Sequence, residues 1–181
     1  MKIAFLLLNL VVNSNNDLLN EARERWVQKK TTITGNFIET NIYTSSLEAA
    51  LPNKDILFDT ICCFNGMQYC FEDKEKAKLF LQNVVCRLKP GGYFFGLLPD
   101  SSAIWYKAQS GKPAFKGELY SIDFANDEFK HFGTRYTFKM DGESEVQEFL
   151  VHFPTLINLA DEAGLTMLEI SNLNEFYEEN K

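Results

Sequence analysis

An α/β domain built around a parallel sheet is the fold class that the sequence predicts, and three observations carry it. Strand-like and helix-like patterns alternate: FDTICCF at 58–64, an amphipathic stretch at 72–88, then YFFGLL at 93–98. Short apolar strands joined by helices read as parallel crossovers. The length, 181 residues, suits one ordinary domain, and 45% hydrophobic residues can fill its core. No internal repeat or low-complexity linker divides the chain.

Taken in order, Lys2 followed by the apolar run Ile3–Val12 has the look of a secretory leader. No small-residue cleavage pattern follows it, only Asn13-Ser14-Asn15-Asn16-Asp17. The run therefore reads as one buried strand ending in a polar turn. Asp17 is expected to cap a helix carrying Leu18, Leu19, Ala22 and Trp26. Asn36–Glu39 reads as extended, and Phe58–Phe64 is too short and too apolar to be anything but a buried strand. From Glu72 to Leu88, Ala77, Phe80, Leu81, Val84, Val85 and Leu88 share one helix face. Lys89-Pro90-Gly91-Gly92 is expected to stop that helix in a tight turn before a strand at Tyr93–Leu98.

The second half changes character. Ser101–Gln109 reads as a short helix and Ser110–Gly117 as an exposed loop. Leu119–Phe124, Gly133–Met140 and Val146–Val151 read as strands, with turns at Asn126-Asp127 and Asp141-Gly142. Pro154–Ala163 reads as a helix closed by Gly164. A strand at Met167–Ile170 and a short acidic helix are expected to end the chain.

Composition narrows the function. A formal net charge of −7 disfavours a broad nucleic-acid footprint, because phosphate would be repelled unless basic residues gather locally. No apolar run reaches the ~20 residues needed to cross a bilayer. Cys62, Cys63, Cys70 and Cys86 form no CxxC pair, and His131 and His152 are the only histidines. Buried free thiols in a reducing compartment, and no zinc site, are the expectation.

Open α/β sheets bind ligands at the carboxyl ends of their parallel strands. The segment Phe64-Asn65-Gly66-Met67-Gln68-Tyr69-Cys70-Phe71 follows such an end and mixes aromatic faces with amides. It suits a pocket for a flat heterocycle, and equally a hydrophobic strand-to-helix turn. Glu148 lies within the apolar segment 146–153, either on a solvent face or as an acceptor for a ligand's donors.

Several segments carry a resemblance: FDTICCFNGMQYCFED, FLQNVVCRLKPGGYFFGLLPDSS, VQEFLVHFPTLINLADEAGL and NEFYEENK. Their ordered set resembles the eukaryotic mRNA cap guanine-N(7) methyltransferases. PDSSAIW and FLVHFPTL bring it nearest to a plant branch of that family. The likeness runs from about Asn20 to the last residue. It implies an S-adenosylmethionine-dependent class I (Rossmann-like) methyltransferase sheet with an antiparallel insertion. It further implies S-adenosylmethionine as cofactor, capped RNA with a GpppN end as partner, and a nuclear location. Residues 1–181 are then one methyltransferase-like domain. The family's first strand with its glycine-rich loop, its early lysine and its last strands have no counterpart in the sequence, which has no glycine before Gly35. The sheet is therefore expected to be incomplete.

The likeness also assigns positions. Asn13 stands where the family has an acidic residue for the cofactor ribose, Asn41 where it has an aspartate for the adenine amino group. Phe64 stands in place of a glutamine near the cofactor. Gln68 replaces the histidine of a His-Tyr pair whose tyrosine is Tyr69, the expected aromatic wall beside guanine, supported by Phe71. Glu148 falls on the glutamate that reads the Watson–Crick edge. No catalytic acid or base is expected, because guanine N(7) bears a free lone pair and proximity suffices. Lys107, Lys112 and Lys116 either meet the cap triphosphate or only solvate a loop, and Lys29-Lys30 is too short a basic run to mark nuclear import. Three readings stay open: a cap methyltransferase, a non-catalytic module binding capped RNA or a protein partner, and a methyltransferase with another substrate.

Overall fold

The computed structural model describes residues 2–5, 9–29, 34–109, 114–116, 119–125 and 128–181. Two sheets organise them. The first contains β1 (Lys2–Phe5), β2 (Asn9–Asn13), β3 (Gly35–Glu39), β4 (Phe58–Phe64) and β5 (Leu88–Leu97), in the order β3-β2-β1-β4-β5. β2 pairs parallel with β3, and β4 with β5, whereas β1 runs antiparallel to both β2 and β4. Four strands thus share a direction and bring their carboxyl ends to one edge.

The expected single strand over Ile3–Val12 is two strands, with Ile3 paired to Val12 and Phe5 to Leu10. The apolar run, interrupted by Asn9 alone, has no two-residue alternation, so nothing in it encodes one continuous register. Asp17 is not the cap of α1 (Asn16–Gln28). Asn15 is, its side-chain oxygen accepting from the backbone N–H groups of Asp17 and Leu18 at 2.9 and 3.2 Å.

β4 has the expected limits, Phe58–Phe64, and is followed at once by the turn residues Asn65-Gly66. The helix expected over 72–88 is α3 (Lys74–Val85), shorter at both ends and preceded by a 3-10 segment, Met67–Glu72. Asp73 separates them, its carboxylate accepting from Lys76 N at 2.8 Å as the cap of α3. Lys89-Pro90-Gly91-Gly92 does not end in a free turn. It is an irregularity inside β5, where pairing jumps from Phe58–Leu88 to Thr60–Tyr93. A short helix that the sequence reading did not include, α2 (Leu47–Ala50), joins β3 to β4.

After α4 (Ser101–Gln109), a four-stranded antiparallel sheet has the order β6 (Ala114–Lys116), β7 (Tyr120–Phe124), β8 (Arg135–Met140), β9 (Val146–Phe149). The expected exposed loop over 110–117 therefore contains a strand. Its flanks, the Asn126-Asp127 turn and Lys112 lie outside the described residues. The Asp141-Gly142 turn is present, with Gly142 at φ 79°. The expected strand at Met167–Ile170 is unpaired, exposed chain between α5 (Phe153–Glu162) and α6 (Leu173–Asn180). Its apolar side chains resemble a strand, but no described strand pairs with it.

The main core gathers Ile61 and Cys63 of β4, Phe71, Phe80 and Leu81 beneath them, and Leu156 and Leu159 of α5. A second cluster sets Ile122, Phe124 and Tyr136 of the antiparallel sheet against Ala108, Ile104 and Trp105 of α4. Leu150 belongs to the second cluster and its neighbour Val151 to the first, so the exit of β9 ties the sheets together. Cys62, Cys63 and Cys70 are buried and Cys86 half-buried, all as free thiols, as the sequence predicts. No helix among the described residues is long and apolar enough to cross a membrane.

Candidate functional site

The carboxyl edge of the parallel strands is shaped first by backbone. Asn65, directly after β4, holds a left-handed φ of 51° and donates its N–H to Leu97 O at 3.2 Å. A non-glycine residue in that region is uncommon and gathers at functional turns. Gly66 O accepts from the Tyr43 hydroxyl at 2.8 Å and from Tyr69 N at 3.2 Å. Gly96 permits β5 to lie close, because a Cβ there would meet the Cys63 carbonyl and the Met67 methyl. The 3-10 segment carrying Gln68 and Tyr69 is thereby pinned between β4, β5 and the loop after β3.

Glu148 is the hub of the site. It stands on β9, is only 9% exposed, and lies opposite Tyr136 in the β8–β9 ladder. Its Oε2 accepts from the Tyr136 hydroxyl at 2.6 Å, a short bond of the charge-assisted kind. Its Oε1 accepts from Gln68 Nε2 at 3.1 Å and from the Tyr69 hydroxyl at a long 3.5 Å. Both partners of Oε1 come from the 3-10 segment nearly 80 positions away in sequence. The pairing therefore joins the antiparallel sheet to the carboxyl edge of the parallel one. The partners that the structure gives Glu148 are neutral donors, so the alternative of an open solvent face is corrected: the carboxylate is enclosed and anchored.

Burial pushes the Tyr136 hydroxyl far above the ordinary tyrosine range, aided by the bond and charge of Glu148. Tyr43 is raised in the same direction, again by burial first and then by neighbouring Cys63 and Cys70. Tyr69, half-buried, is pushed up to about 12 by burial and then by Glu148. All three stay protonated at neutral pH, so the two facing Glu148 are donors to it. Because their folded values are raised, the stability they contribute is complete below ~10, the unfolded tyrosine value, and is lost as pH rises beyond it. Alkaline titration followed by tyrosinate absorbance and circular dichroism should show these three ionising only as the chain unfolds. Ionisation of all three near pH ~10 in a folded chain would contradict the enclosed site.

The other expected residues divide. Asn13 ends β2 and is buried, its Oδ1 accepting from Asn15 N at 2.8 Å. Asn41, exposed after β3, likewise turns its Oδ1 to Tyr43 N at 3.0 Å. Phe64 ends β4, is 40% exposed and packs against Phe95 at 5.8 Å between ring centroids. Asn13, Asn41 and Phe64 thus share the carboxyl edge, each engaged with its own neighbours there. Phe71 is fully buried and stacked on Phe132 at 5.3 Å, a position from which it can serve the site only as support from behind. Tyr43, 6.4 Å from Tyr69, is the aromatic neighbour that the sequence reading missed.

Tyr136 was missed as well, although a signal for it exists. Counting outward from the Asp141-Gly142-Glu143 turn pairs Tyr136 with Glu148. Chemically, the assembled group offers a carboxylate to adjacent N–H donors, beside the phenol ring of Tyr69.

A four-strand parallel frame with its site at the carboxyl edge and an antiparallel sheet supplying the acid belongs to the class I methyltransferase fold. Similar solved structures include an S-adenosylmethionine-dependent methyltransferase from Clostridium acetobutylicum, at TM-score 0.56 and 18% identity over 88% of this chain and 65% of that one. The CcbJ methyltransferase from Streptomyces caelestis aligns at TM-score 0.57 and 13% identity over 88% and 64%. Residues 9–181 match the family model described as the mRNA (guanine-N(7))-methyltransferase domain. The chain belongs to the mRNA cap guanine-N(7) methyltransferase family. It is similar to mRNA cap guanine-N(7) methyltransferase 2 of Oryza sativa subsp. japonica, 42% identical over 90% of this chain and 52% of that protein. The Arabidopsis thaliana protein of the same name is 38% identical over 90% and 51%. The chain thus spans about half the length of these curated relatives.

Proposed function

We propose that this chain, read as one methyltransferase-like domain, contributes the guanine-reading site of an mRNA cap guanine-N(7) methyltransferase. The substrate is the GpppN end of RNA and the methyl donor S-adenosylmethionine, in the nucleus. The observation that carries this reading is the anchored carboxylate of Glu148, whose two oxygens suit the N1–H and amine donors of guanine. Tyr69 beside it offers a ring for the base to lie against, and phosphate contacts need not be extensive when one base is read.

The chain's own part in the reaction is to bind and orient. Guanine N(7) is already nucleophilic, so holding it at a fixed attack angle is the principal catalytic contribution. When bound, S-adenosylmethionine would supply an electrophilic methyl group. The described residues fit that donor only in part. The oxygens of Asn13 and Asn41 already accept from nearby backbone. β1, between β2 and β4, runs antiparallel, so its end lies at the edge opposite the other carboxyl ends.

Those two facts favour a second reading, a methyltransferase-like module that binds capped RNA, alone or with a protein partner, without turnover. Calorimetric titration of the chain with GpppA and with S-adenosylmethionine separates them, followed by a methyl-transfer assay on GpppA-capped RNA. Binding of both with transfer supports the enzyme. Binding of GpppA alone supports the module. Failure to prefer GpppA over ApppA rejects both.

A further inference from the structure

We propose that the side-chain carbonyl of Gln68 is a second acceptor in the guanine site, taking the amine hydrogen that Glu148 leaves unbound. The inference rests on the cap-guanine reading and deepens it, naming the atom and the ligand group that meet.

Gln68 is 2% exposed, and its Nε2 donates to Glu148 Oε1 at 3.1 Å. That bond orients the carboxamide, because turning it over would set one acceptor against another. The consequence is that Gln68 Oε1 is buried with no partner. Among the described residues one other buried side-chain atom shares that condition, Arg87 Nε, and it is a donor. The Arg87 guanidinium is held through its remaining nitrogens by Glu48, at 2.6 Å, and by the Lys54 carbonyl. Gln68 Oε1 is therefore the unmatched acceptor, and buried polar atoms seldom go without a donor.

Its place decides which donor. The two ends of one carboxamide are a single bond angle apart, so Oε1 stands beside the carboxylate that Nε2 contacts. The side-chain donors at this hub, from Gln68, Tyr69 and Tyr136, are already directed at Glu148. What remains unfilled is acceptor capacity, which calls for a ligand edge rich in hydrogens. Guanine offers a ring N1–H and both hydrogens of its exocyclic amine. The corresponding ring nitrogen of adenine is itself an acceptor, and hypoxanthine has the ring N–H alone. Glu148 can take N1–H and one amine hydrogen, leaving the other for Gln68.

The test compares the full chain with Gln68→Met, which preserves length and removes both amide groups, by calorimetry with GpppA, IpppA and ApppA. The expected result is that Gln68→Met loses roughly five- to tenfold in affinity for GpppA and little for IpppA, narrowing the guanine-to-inosine ratio. An unchanged ratio overturns the inference. Should Gln68→Met fail to fold, the original chain and an N2-methylguanosine dinucleotide decide. Binding equal to that of GpppA overturns the inference, and severalfold weaker binding supports it. Failure of the underlying reading looks different: the original chain would then bind GpppA and ApppA alike.

Discussion

Glu148→Gln should fold like the original chain and lose guanine-cap binding by about a hundredfold. The two side chains have the same shape, and an amide oxygen can still accept the Tyr136 hydroxyl now 2.6 Å from Oε2. What changes is the other half of the group. An –NH2 would face the N–H donors of guanine, while the Gln68 amide, now 3.1 Å from Oε1, can turn over to accept from it. Losing a charge-assisted acceptor pair and gaining a clash of donors costs about 2–5 kcal/mol, and a hundredfold in affinity, about 2.7 kcal/mol, lies in the lower half of that range. Glu148→Ala is the cruder variant. It strands the fully buried Tyr136 hydroxyl, at 1% exposure, and should also lower stability by roughly 1–3 kcal/mol. Calorimetry with GpppA reads the first effect and urea unfolding the second. Undiminished GpppA binding by Glu148→Gln would remove Glu148 from base recognition.

Asn83→Leu is expected to cost roughly 3 kcal/mol of folding stability. Asn83 is a buried polar residue on α3 whose carboxamide clamps the connection between β3 and α2. Its Oδ1 accepts from Leu47 N at 2.8 Å, and its Nδ2 donates to Ile42 O and Ser45 O at 2.8 and 2.9 Å. Leucine fills similar space while leaving those backbone groups buried and unmatched, at about 1–3 kcal/mol each before relaxation. For a chain of this size the midpoint of thermal unfolding should fall by about 10 °C. The clamped segment includes Tyr43, which reaches Gly66 O, so site geometry should loosen with it. A shift of under ~0.5 kcal/mol would mean that the bracket is not structural.

The parts of the fold legible in sequence were those with sharp local contrast. β4 is a short apolar run closed by Asn65-Gly66 and α3 has a clean apolar face, so both were expected within a turn of where they lie. The amino-terminal run failed because its nearly continuous apolarity, with Asn9 as the one polar residue, hides a chain reversal. Met167–Ile170 failed for the opposite reason: its strand-like composition finds no partner among the described residues. Neighbouring Asx residues made the cap of α1 ambiguous, and Asn15 prevails over Asp17 because its oxygen reaches two backbone donors.

In the candidate site, residue types were legible and their relations were not. Glu148 stood out as a carboxylate in an apolar stretch, and Gln68 and Tyr69 as polar tips in an aromatic loop. That they converge depends on tertiary packing between β9 and the 3-10 segment. Phe71 lies two places after Tyr69 in the core, stacked on Phe132, and composition alone does not tell such a supporting ring from one that lines a pocket.

The ladder pairing of Tyr136 with Glu148 makes the proposed base recognition a matter of parity. Successive strand residues point to opposite faces, so a slip of one position would send the acid to the outer face alongside Gln147 and Thr137. Substitutions on that outer face can accumulate freely by comparison. An odd-numbered insertion within β8 or β9 would separate acid from phenol without altering either residue. Length changes absorbed wholly within the Asp141-Gly142-Glu143 turn would leave the pair intact. Evolutionary tolerance in this hairpin should therefore follow where a residue is added more closely than which residue is added.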